Sequence, residues 1–198
     1  MATRLSRPEQ VQRNRGLVLE AARRVFLERG YAGATLDAIA DEAGFSKGVV
    51  YSQFAGKSDL LLALLEARIE ERAAENLAVT EGLAGIEGLQ ALLGANARRT
   101  QDAPAWSRLL IEFRITAGRD PELNARYAAA HAVGVERFGD LLGELAARGG
   151  LRFVHGSQMA ARLIFALDAG ATLERIADPD GMPAHVLDDL VSRLTEPI

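Results

Sequence analysis

Apolar residues recur along this chain at every third or fourth position, the spacing of a helix face, almost from end to end. The first such set runs from Val18 to Phe26 and stops at Gly30, a residue that commonly ends helices. Ser6 and Glu9 precede it with the spacing of a capping box. The pattern predicts a first helix that begins after Ser6 and ends near Gly30.

Two short helices are predicted to follow with tight links between them. Thr35 is placed to cap a helix that breaks at Gly44, and Ser46 is placed to cap another that ends near Phe54. Two helices of this length bury little on their own. Together with the first helix they make a compact three-helix unit of the helix-turn-helix type.

The rest of the chain is predicted to be a larger helical body. Ser58 is placed to cap a leucine-rich fourth helix that runs past Arg72. Further helices are predicted at 86–100, 104–117, 121–148, 157–177 and 183–195. The expected fold is all-α, with a domain at residues 1–57 and a second at residues 58–198.

Charge is divided unevenly between these two parts. Residues 1–57 contain nine Lys and Arg against six Asp and Glu, whereas the remainder contains fourteen against twenty-one. The two lysines of the chain, Lys47 and Lys57, both lie in the basic part. A basic end on an acidic body suggests that this end meets a polyanion, although chance variation of surface charge would look similar.

Composition excludes several classes of protein. The 198 residues include no cysteine, so there is no disulfide framework and no thiolate site. No apolar run approaches the length of about 18–20 residues that spans a bilayer. The N-terminal residues are polar and lack the apolar core of a secretory signal. We expect a cytoplasmic protein with no membrane partner.

Catalytic signatures are also missing from the sequence. The glycines at 82, 85 and 88 follow no strand, and His131, His155 and His185 have no metal-ligand spacing. We therefore expect no enzyme activity, no metal and no cofactor.

The informative segment is 35–57. Its second short helix, which starts at Lys47, can enter a DNA major groove with its N-terminal end toward the bases. Gly48 permits close approach of the backbone there. The helix starts at Thr35, Ser46 and Ser58 offer free N–H groups to phosphate oxygens.

Residues 18–62 resemble the N-terminal DNA-binding domain of the TetR family of transcriptional regulators. The matching residues are Ala21, Ala22, Phe26, Gly30, Tyr31, Thr35, Ile39, Ala40, Ala43, Gly44, Ser46, Lys47, Gly48, Tyr51, Phe54, Lys57, Leu60 and Leu61. Beyond this segment the resemblance is confined to length and helical texture.

The resemblance implies contacts with double-stranded DNA. It implies phosphate contacts from Thr35, Tyr51 and Lys57, and the full predicted set is Thr35, Ser46, Lys47, Gly48, Val49, Tyr51, Ser52, Gln53 and Lys57. Many members carry threonine at the position of Val49 and an aromatic residue or histidine at those of Ser52 and Gln53, so the operator sequence is left open. Tyr51 and Phe54 could instead be core aromatics, and we favour that interpretation for Phe54.

A dimer interface is expected on the last two predicted helices. Residues 158–177 carry two apolar stripes, which require cover on two sides. The resemblance implies a two-fold four-helix interface, and the predicted residues are Ala160, Leu163, Ile164, Leu167, Gly170, Leu187, Leu190, Val191 and Leu194. The alternative is ordinary core packing within one subunit.

Apolar and aromatic residues in the middle of the body are candidates for an effector pocket. They are Trp106, Leu109, Phe113, Tyr127, His131, Phe138 and Met159. Each could equally be a core residue, and Arg114 could pair with an anionic effector or with a surface carboxylate.

The sequence therefore predicts a homodimeric repressor that binds a palindromic operator and is released by a small-molecule effector. A transcriptional activator of the same fold is the first alternative. A helical adaptor that binds only protein is the second, but it leaves Lys47 and Gly48 unexplained.

Overall fold

The described part of the chain is helical apart from one small ribbon. A computed structural model describes residues 6–181, 189 and 193–198, without the side chains of 101 and 102. Its helices are α1 Arg7–Gly33, α2 Leu36–Ala43, α3 Lys47–Tyr51, α4 Lys57–Val79, α5 Gly85–Asp102, α6 Pro104–Ala117, α7 Pro121–Arg148 and α8 Ser157–Ala177. Its strands are β1 Leu151–Phe153 and β2 Thr195–Pro197. The all-α prediction is confirmed.

Helix starts follow the capping residues that the sequence offers. The backbone N–H of Ser6 donates to Glu9 Oε2 at 2.7 Å, which completes the predicted capping box. Thr35 Oγ1 accepts from the N–H of Ala38 at 3.1 Å. The carboxylate of Asp120 accepts two N–H groups at the start of α7. These side chains satisfy N–H groups that a helix leaves unpaired at its first turn.

Two glycines shape the three-helix unit. Gly44 ends α2 with a φ of 70°, a left-handed conformation that glycine adopts without steric cost. Gly30 was predicted to end the first helix. With a φ of 69° it instead introduces a kink, and α1 continues to Gly33. The prediction that Ser58 caps the fourth helix is wrong. Gly56 is the N-cap and α4 begins at Lys57, so Ser58 lies inside the first turn.

The C-terminal segment differs from its prediction. Residues 195–197 form β2, which pairs antiparallel with β1, and Arg152 and Glu196 join the strands through an ion pair of 2.6 Å. The predicted helix 183–195 is therefore wrong at its end. The remainder of that helix lies outside the described residues apart from the helical Asp189, and so do the predicted interface residues Leu187, Leu190 and Val191.

The first of two hydrophobic cores holds the N-terminal helices together and continues into the body. It includes Phe26 of α1, Ile39 of α2 and Val50 of α3, and it extends to Leu61 of α4. Residues of α6 and α7 complete it. The predicted domain boundary after residue 57 coincides with the start of α4, but this core crosses it. The three-helix unit, here called the head, thus packs directly on the body.

The second core lies in the body, between α5, α7, β1 and α8. Leu92, Leu142, Leu145, Phe153 and Ala161 are among its buried members. Because α7 contributes residues to both cores, it connects the distal end of the body to the head. Within the described ranges, no helix combines the length and apolar character needed to cross a membrane.

Candidate nucleic-acid interface and ligand cavity

Helix α3 is anchored on one face and open on the other. Val50 is fully buried in the first core, and Phe54 just beyond the helix is 4% exposed beneath the guanidinium of Arg15, 4.3 Å from its ring. The core interpretation of Phe54 is confirmed. On the outer face, Ser46, Lys47 and Gly48 are exposed at the N-terminal end of α3. The helix therefore presents its free N–H groups and a cation to solvent.

Tyr51 belongs to the open face. Its side chain is 54% exposed although it is a large aromatic residue. The alternative in which Tyr51 is a core aromatic is therefore wrong. An exposed phenol at the last residue of α3, one turn after Lys47, can donate a hydrogen bond to a phosphate oxygen.

Lys47 is paired in the absence of DNA. Its Nζ lies 2.5 Å from Asp37 Oδ2 of α2. The hydrogen bond to this carboxylate and its negative charge raise the pKa of Lys47. Both side chains are largely exposed, and exposed ion pairs contribute little to stability. The ammonium can therefore exchange Asp37 for an acceptor on DNA at small cost.

The polar side chains at the end of α3 bond to their own helix. Ser52 Oγ donates to the carbonyl oxygen of Val49 at 2.8 Å, and Gln53 Nε2 approaches the same oxygen at 3.4 Å. Gln53 Oε1 is buried without a hydrogen-bond partner among the described atoms. A base contact by Gln53 requires its amide to rotate outward, and the unpaired oxygen favours that rotation.

Lys57 has partners that the sequence did not reveal. Its Nζ donates to the carbonyl oxygens of Tyr31 at 2.8 Å, Ala32 at 3.3 Å and Ala34 at 3.2 Å. The ammonium also lies 4.6 Å from the centre of the Tyr31 ring. Lys57 thus joins the first turn of α4 to the link between α1 and α2. A phosphate contact by Lys57 stays a prediction, and it requires the ammonium to share its N–H donors between these carbonyl oxygens and the phosphate.

Replacement of Lys57 by methionine is expected to lower the free energy of unfolding by about 1–3 kcal/mol, since two partly buried carbonyls lose a charged donor. Urea denaturation measures the change. Lys47→Met is the control, because it removes only an exposed pair and is expected to change stability by less than about 0.5 kcal/mol. If Lys57→Met leaves stability intact and lowers only the salt dependence of DNA binding, the structural role is refuted.

A cavity of about 570 Å³ lies in the body, with walls from α4, α5, α6, α7 and α8. This volume is typical of a site for a drug-sized molecule. Among the predicted effector residues, four line the cavity: Trp106, Tyr127, His131 and Phe138.

The other three predicted effector residues are placed elsewhere. Leu109 and Phe113 are fully enclosed in the first core, on the face of α6 that meets the head. Met159 is 48% exposed on the outer side of α8. These three predictions are corrected, because each residue lies on a helix face turned away from the cavity.

Several polar residues line the cavity that the sequence analysis did not include among the effector-binding candidates. Arg68, Arg72 and Asn76 reach it from α4, Thr100 from α5 and Asp168 from α8. The i, i+4 spacing of the three α4 residues, on a helix with an otherwise apolar face, was the available signal. Burial raises the pKa of the Asp168 carboxyl, against a hydrogen bond from Thr100.

The opposite wall of the cavity is aromatic. The rings of Tyr127 and His131 stack with centroids 5.8 Å apart. Burial, followed by the positive charge of Arg114, lowers the pKa of His131, and burial raises the pKa of Tyr127. Both groups therefore favour their neutral forms. Among the described residues, no cluster of three potential ligands for a metal ion occurs.

Aromatic contacts connect this wall to the head. Phe113 of α6 lies 5.8 Å from Tyr127 and 4.9 Å from Tyr31, measured between ring centroids. Tyr31 in turn stacks on Phe26 at 6.1 Å, inside the core of the head. Packed rings therefore form a continuous path from the cavity to the three-helix unit.

Glu112 of α6 makes a second connection to the head. Its two carboxylate oxygens accept the backbone N–H groups of Tyr31 and Ala32, each at 2.7 Å. The kink at Gly30 frees these N–H groups, and a Cβ on Gly30 would lie 2.8 Å from the carboxylate. Ile111, which precedes Glu112 on α6, lines the cavity. We call this pair of hydrogen bonds the Glu112 latch.

Helix α8 has one face in the subunit and one face in solvent. The exposed stripe consists of Met159, Leu163, Ala166, Gly170 and Leu173. Of the predicted interface residues, Leu163 and Gly170 lie on this stripe. The others that the structure describes face inward and are corrected: Ala160, Ile164 and Leu194 pack in the second core, and Leu167 lines the cavity.

Two models of protein families match this chain. The one described as "Bacterial regulatory proteins, tetR family" matches residues 18–64. The one described as "BetI-type transcriptional repressor, C-terminal" matches residues 85–198, more than half of the chain.

Two curated relatives match this chain over part of its length. The transcriptional activator FasR of Mycolicibacterium smegmatis is 46% identical over 67 residues, which are 34% of this chain and 29% of FasR. The transcriptional repressor AcnR of Corynebacterium efficiens is 32% identical over 119 residues, which are 59% of this chain and 57% of AcnR. The chain thus covers less than two thirds of either relative.

A solved structure shares the whole fold. The regulator FadR from Bacillus subtilis, determined in complex with stearoyl-CoA, superposes with a TM-score of 0.71 at 18% identity. The superposition covers 90% of this chain and 96% of FadR. At this identity the similarity establishes the arrangement of the helices and no more.

Proposed function

The chain belongs to the TetR family of bacterial transcriptional regulators, and we propose that it is a homodimeric repressor whose hold on a palindromic operator is released by a small molecule. The observation that carries the proposal is the open face of α3. Lys47, Gly48 and Tyr51 are exposed there, while Val50 fixes the helix to the core from the opposite side. A rigidly mounted helix with a free N-terminal end suits insertion into a major groove.

The exposed stripe of α8 supports the homodimer. Four of its five members are apolar side chains and the fifth is glycine, which permits close approach of a second helix. A two-fold interface pairs the same surface on both subunits. Two heads related by that axis read two inverted half-sites, so the operator is expected to be close to palindromic.

Selection of bound sequences from a random DNA pool tests the proposal. The expected outcome is an inverted repeat whose half-sites lie about 34–36 Å apart on one face of the duplex, or a multiple of that distance. Recovery of no preferred sequence, together with binding that ignores salt concentration, would contradict DNA recognition. Placement of the selected operator before a promoter in a transcription assay then separates repression from activation, since FasR and AcnR are named for opposite effects.

A small-molecule effector is supported by the cavity and its position. Helix α4 has its N-terminal turns in the core of the head, and its later residues, Ile69 and Arg72 among them, line the cavity. Helix α6 lines the cavity and carries the Glu112 latch. The complex of FadR with stearoyl-CoA is a precedent for a ligand in this fold. A ligand between α4 and α6 therefore contacts both helices that hold the head.

Release follows from the geometry of the operator. DNA fixes the separation of two adjacent major grooves, so a spread of a few ångströms between the heads misaligns both copies of α3. The effector needs only to favour one separation over the other. Coupling of about 1–3 kcal/mol changes operator affinity by about 5–150-fold.

Reciprocity provides a test of release. Trp106 is the single tryptophan of the chain and lines the cavity, so its fluorescence reports ligand binding without a label. Operator DNA is expected to weaken the binding of an inducer by the same factor by which the inducer weakens operator binding. The two titrations are performed with one preparation. Equal ligand affinity with and without operator would identify a ligand that is not the inducer.

A further inference from the structure

A small second cavity opens beside the main one. It has a volume of about 80 Å³ and lies between α1, α4, α5 and the start of α6. Four arginines line it, Arg23, Arg68, Arg72 and Arg99. We call it the arginine side pocket. Arg68, Arg72 and Trp106 border both cavities, so the side pocket adjoins the main cavity at these residues.

The arginines are crowded around one carboxylate. Glu75 accepts from Arg68 at 3.3 Å, from Arg72 at 3.1 Å and from Arg99 at 3.2 Å. Burial raises the pKa of Glu75, but the three guanidinium groups outweigh it and hold that pKa below its usual range. Each arginine therefore receives only a share of the negative charge.

Two further carboxylates lie near the arginines, but they do not neutralise the positive charge of the cluster. Glu71 pairs with Arg68 at 2.9 Å, and Asp168 faces Arg72 from the main cavity. Arg23 forms no ion pair with a described acid. Among the side chains that the structure describes around the pocket, four guanidinium groups thus face three carboxylates.

The arrangement also strains Arg72. Burial lowers its pKa first, and the positive charges of Arg68 and Arg99 lower it further. An anion beside Arg72 would relieve this repulsion, because its negative charge attracts the guanidinium groups of Arg68, Arg72 and Arg99 alike. The planar guanidinium groups offer paired N–H donors to a carboxylate or a phosphate.

The main cavity has a different character. Its walls are largely apolar, with Ile69, Leu110, Phe138 and Phe165 among the lining residues. It accommodates a hydrocarbon body, since apolar surfaces of this kind gain free energy when water is displaced. The apolar main cavity and the cationic arginine side pocket are together complementary to an amphiphilic anion.

We propose that the arginine side pocket binds the acidic head of an amphiphilic effector whose apolar body fills the main cavity. The head is a single carboxylate or phosphate group, which the volume of the side pocket accommodates. This inference rests on the proposed function, because it names the class of molecule that would release the operator.

Matched probes test the charge of the head. Decanoate, decyl phosphate, decanol and decyltrimethylammonium share one apolar body, and each is titrated into the full-length protein with Trp106 fluorescence as the readout. We expect the two anions to bind about 10–100-fold more tightly than decanol, the range of a hydrogen bond to a charged group. The cation is expected to bind most weakly. The comparison of decanoate with decyl phosphate decides between the two acidic groups.

Variants locate the selectivity in the side pocket. Arg72→Met retains an unbranched side chain and is expected to abolish the preference for anions, whereas Arg72→Lys retains part of it. Arg23→Met is the second variant, because its removal leaves no described acid without a partner; it is expected to weaken anion binding several-fold. Arg24→Met is the control, since Arg24 pairs with Glu42 on the surface and neither residue borders a cavity.

Two outcomes would overturn the inference. One is equal affinity for decanoate and decanol, and the other is an anion preference that survives in both Arg72→Met and Arg23→Met. The DNA selection described above, performed with the same preparation, keeps the two proposals apart. Sequence-specific DNA binding without anion preference refutes only the side pocket, and a lack of such binding refutes the proposed regulator itself.

Discussion

Gly170→Glu is expected to convert the protein into a folded monomer that has lost its operator. Gly170 lies in the exposed stripe of α8, and a Cβ added there meets no other atom within 4 Å. The subunit can therefore accept the new side chain, and glutamate is the better helix former by up to about 1 kcal/mol. In a two-fold interface the two carboxylates lie close together in a dehydrated contact, which is strongly unfavourable.

Sedimentation and DNA titration measure the consequence. A monomer presents one head, so operator affinity is expected to fall toward the nonspecific level, a loss of about a thousandfold or more. Ile115→Glu is the control, because Ile115 is an exposed apolar residue on α6 outside the stripe. A monomeric Gly170→Glu protein that binds the full operator with unchanged affinity would exclude the proposed interface.

Loss of the Glu112 latch is expected to weaken the contact between the head and α6 of the body. Glu112→Ala removes the acceptor of two backbone N–H groups, one of them on the buried Tyr31. An unpaired buried donor costs about 1–3 kcal/mol, whereas the exposed N–H of Ala32 can turn to water. The free energy of unfolding is therefore expected to fall by about 1–3 kcal/mol. Amide exchange at Tyr31 and Ala32 is expected to accelerate, since those N–H groups no longer have a partner.

The latch also predicts an effect on regulation. An effector acts on the operator only through contacts that differ between the two positions of the head. Without the latch, the factor by which the effector weakens operator binding is expected to approach one, while α3 and its DNA contacts remain in place. Glu136→Ala, at an exposed position of α7, is the control. Unchanged exchange rates at Tyr31 and Ala32 in Glu112→Ala would show that the latch does not hold the head.

Local features of the sequence were sufficient for the helices and for the candidate DNA surface. Thr35 caps α2 as predicted, because a capping bond joins residues two or three positions apart. The open face of α3 was predictable for a similar reason. The residues that anchor α3 in the core and the residues that it exposes to solvent all lie within one short segment around Lys47 and Tyr51.

Contacts between distant segments were not predictable in this way. Lys57 was expected to contact phosphate, yet its ammonium caps carbonyls 23–26 residues earlier in the chain. The partners of Glu112 lie 80 and 81 residues away. No pattern along the chain marks such pairs, since neither residue has an unusual neighbour in sequence.

The sidedness of α8 and the composition of the cavity show the same limit. Periodicity identified two apolar stripes on α8, and it placed Trp106 and Phe113 in the same central region. A helical repeat states how residues are arranged around their own axis, but it does not state which face meets the core, a cavity or a second subunit. The sequence by itself determined most of the helices and the segment that forms the candidate DNA surface. Only the tertiary structure decided that Leu163 faces outward, that Trp106 borders a cavity and Phe113 a core, and that four arginines converge, because each of these depends on how separate helices pack together.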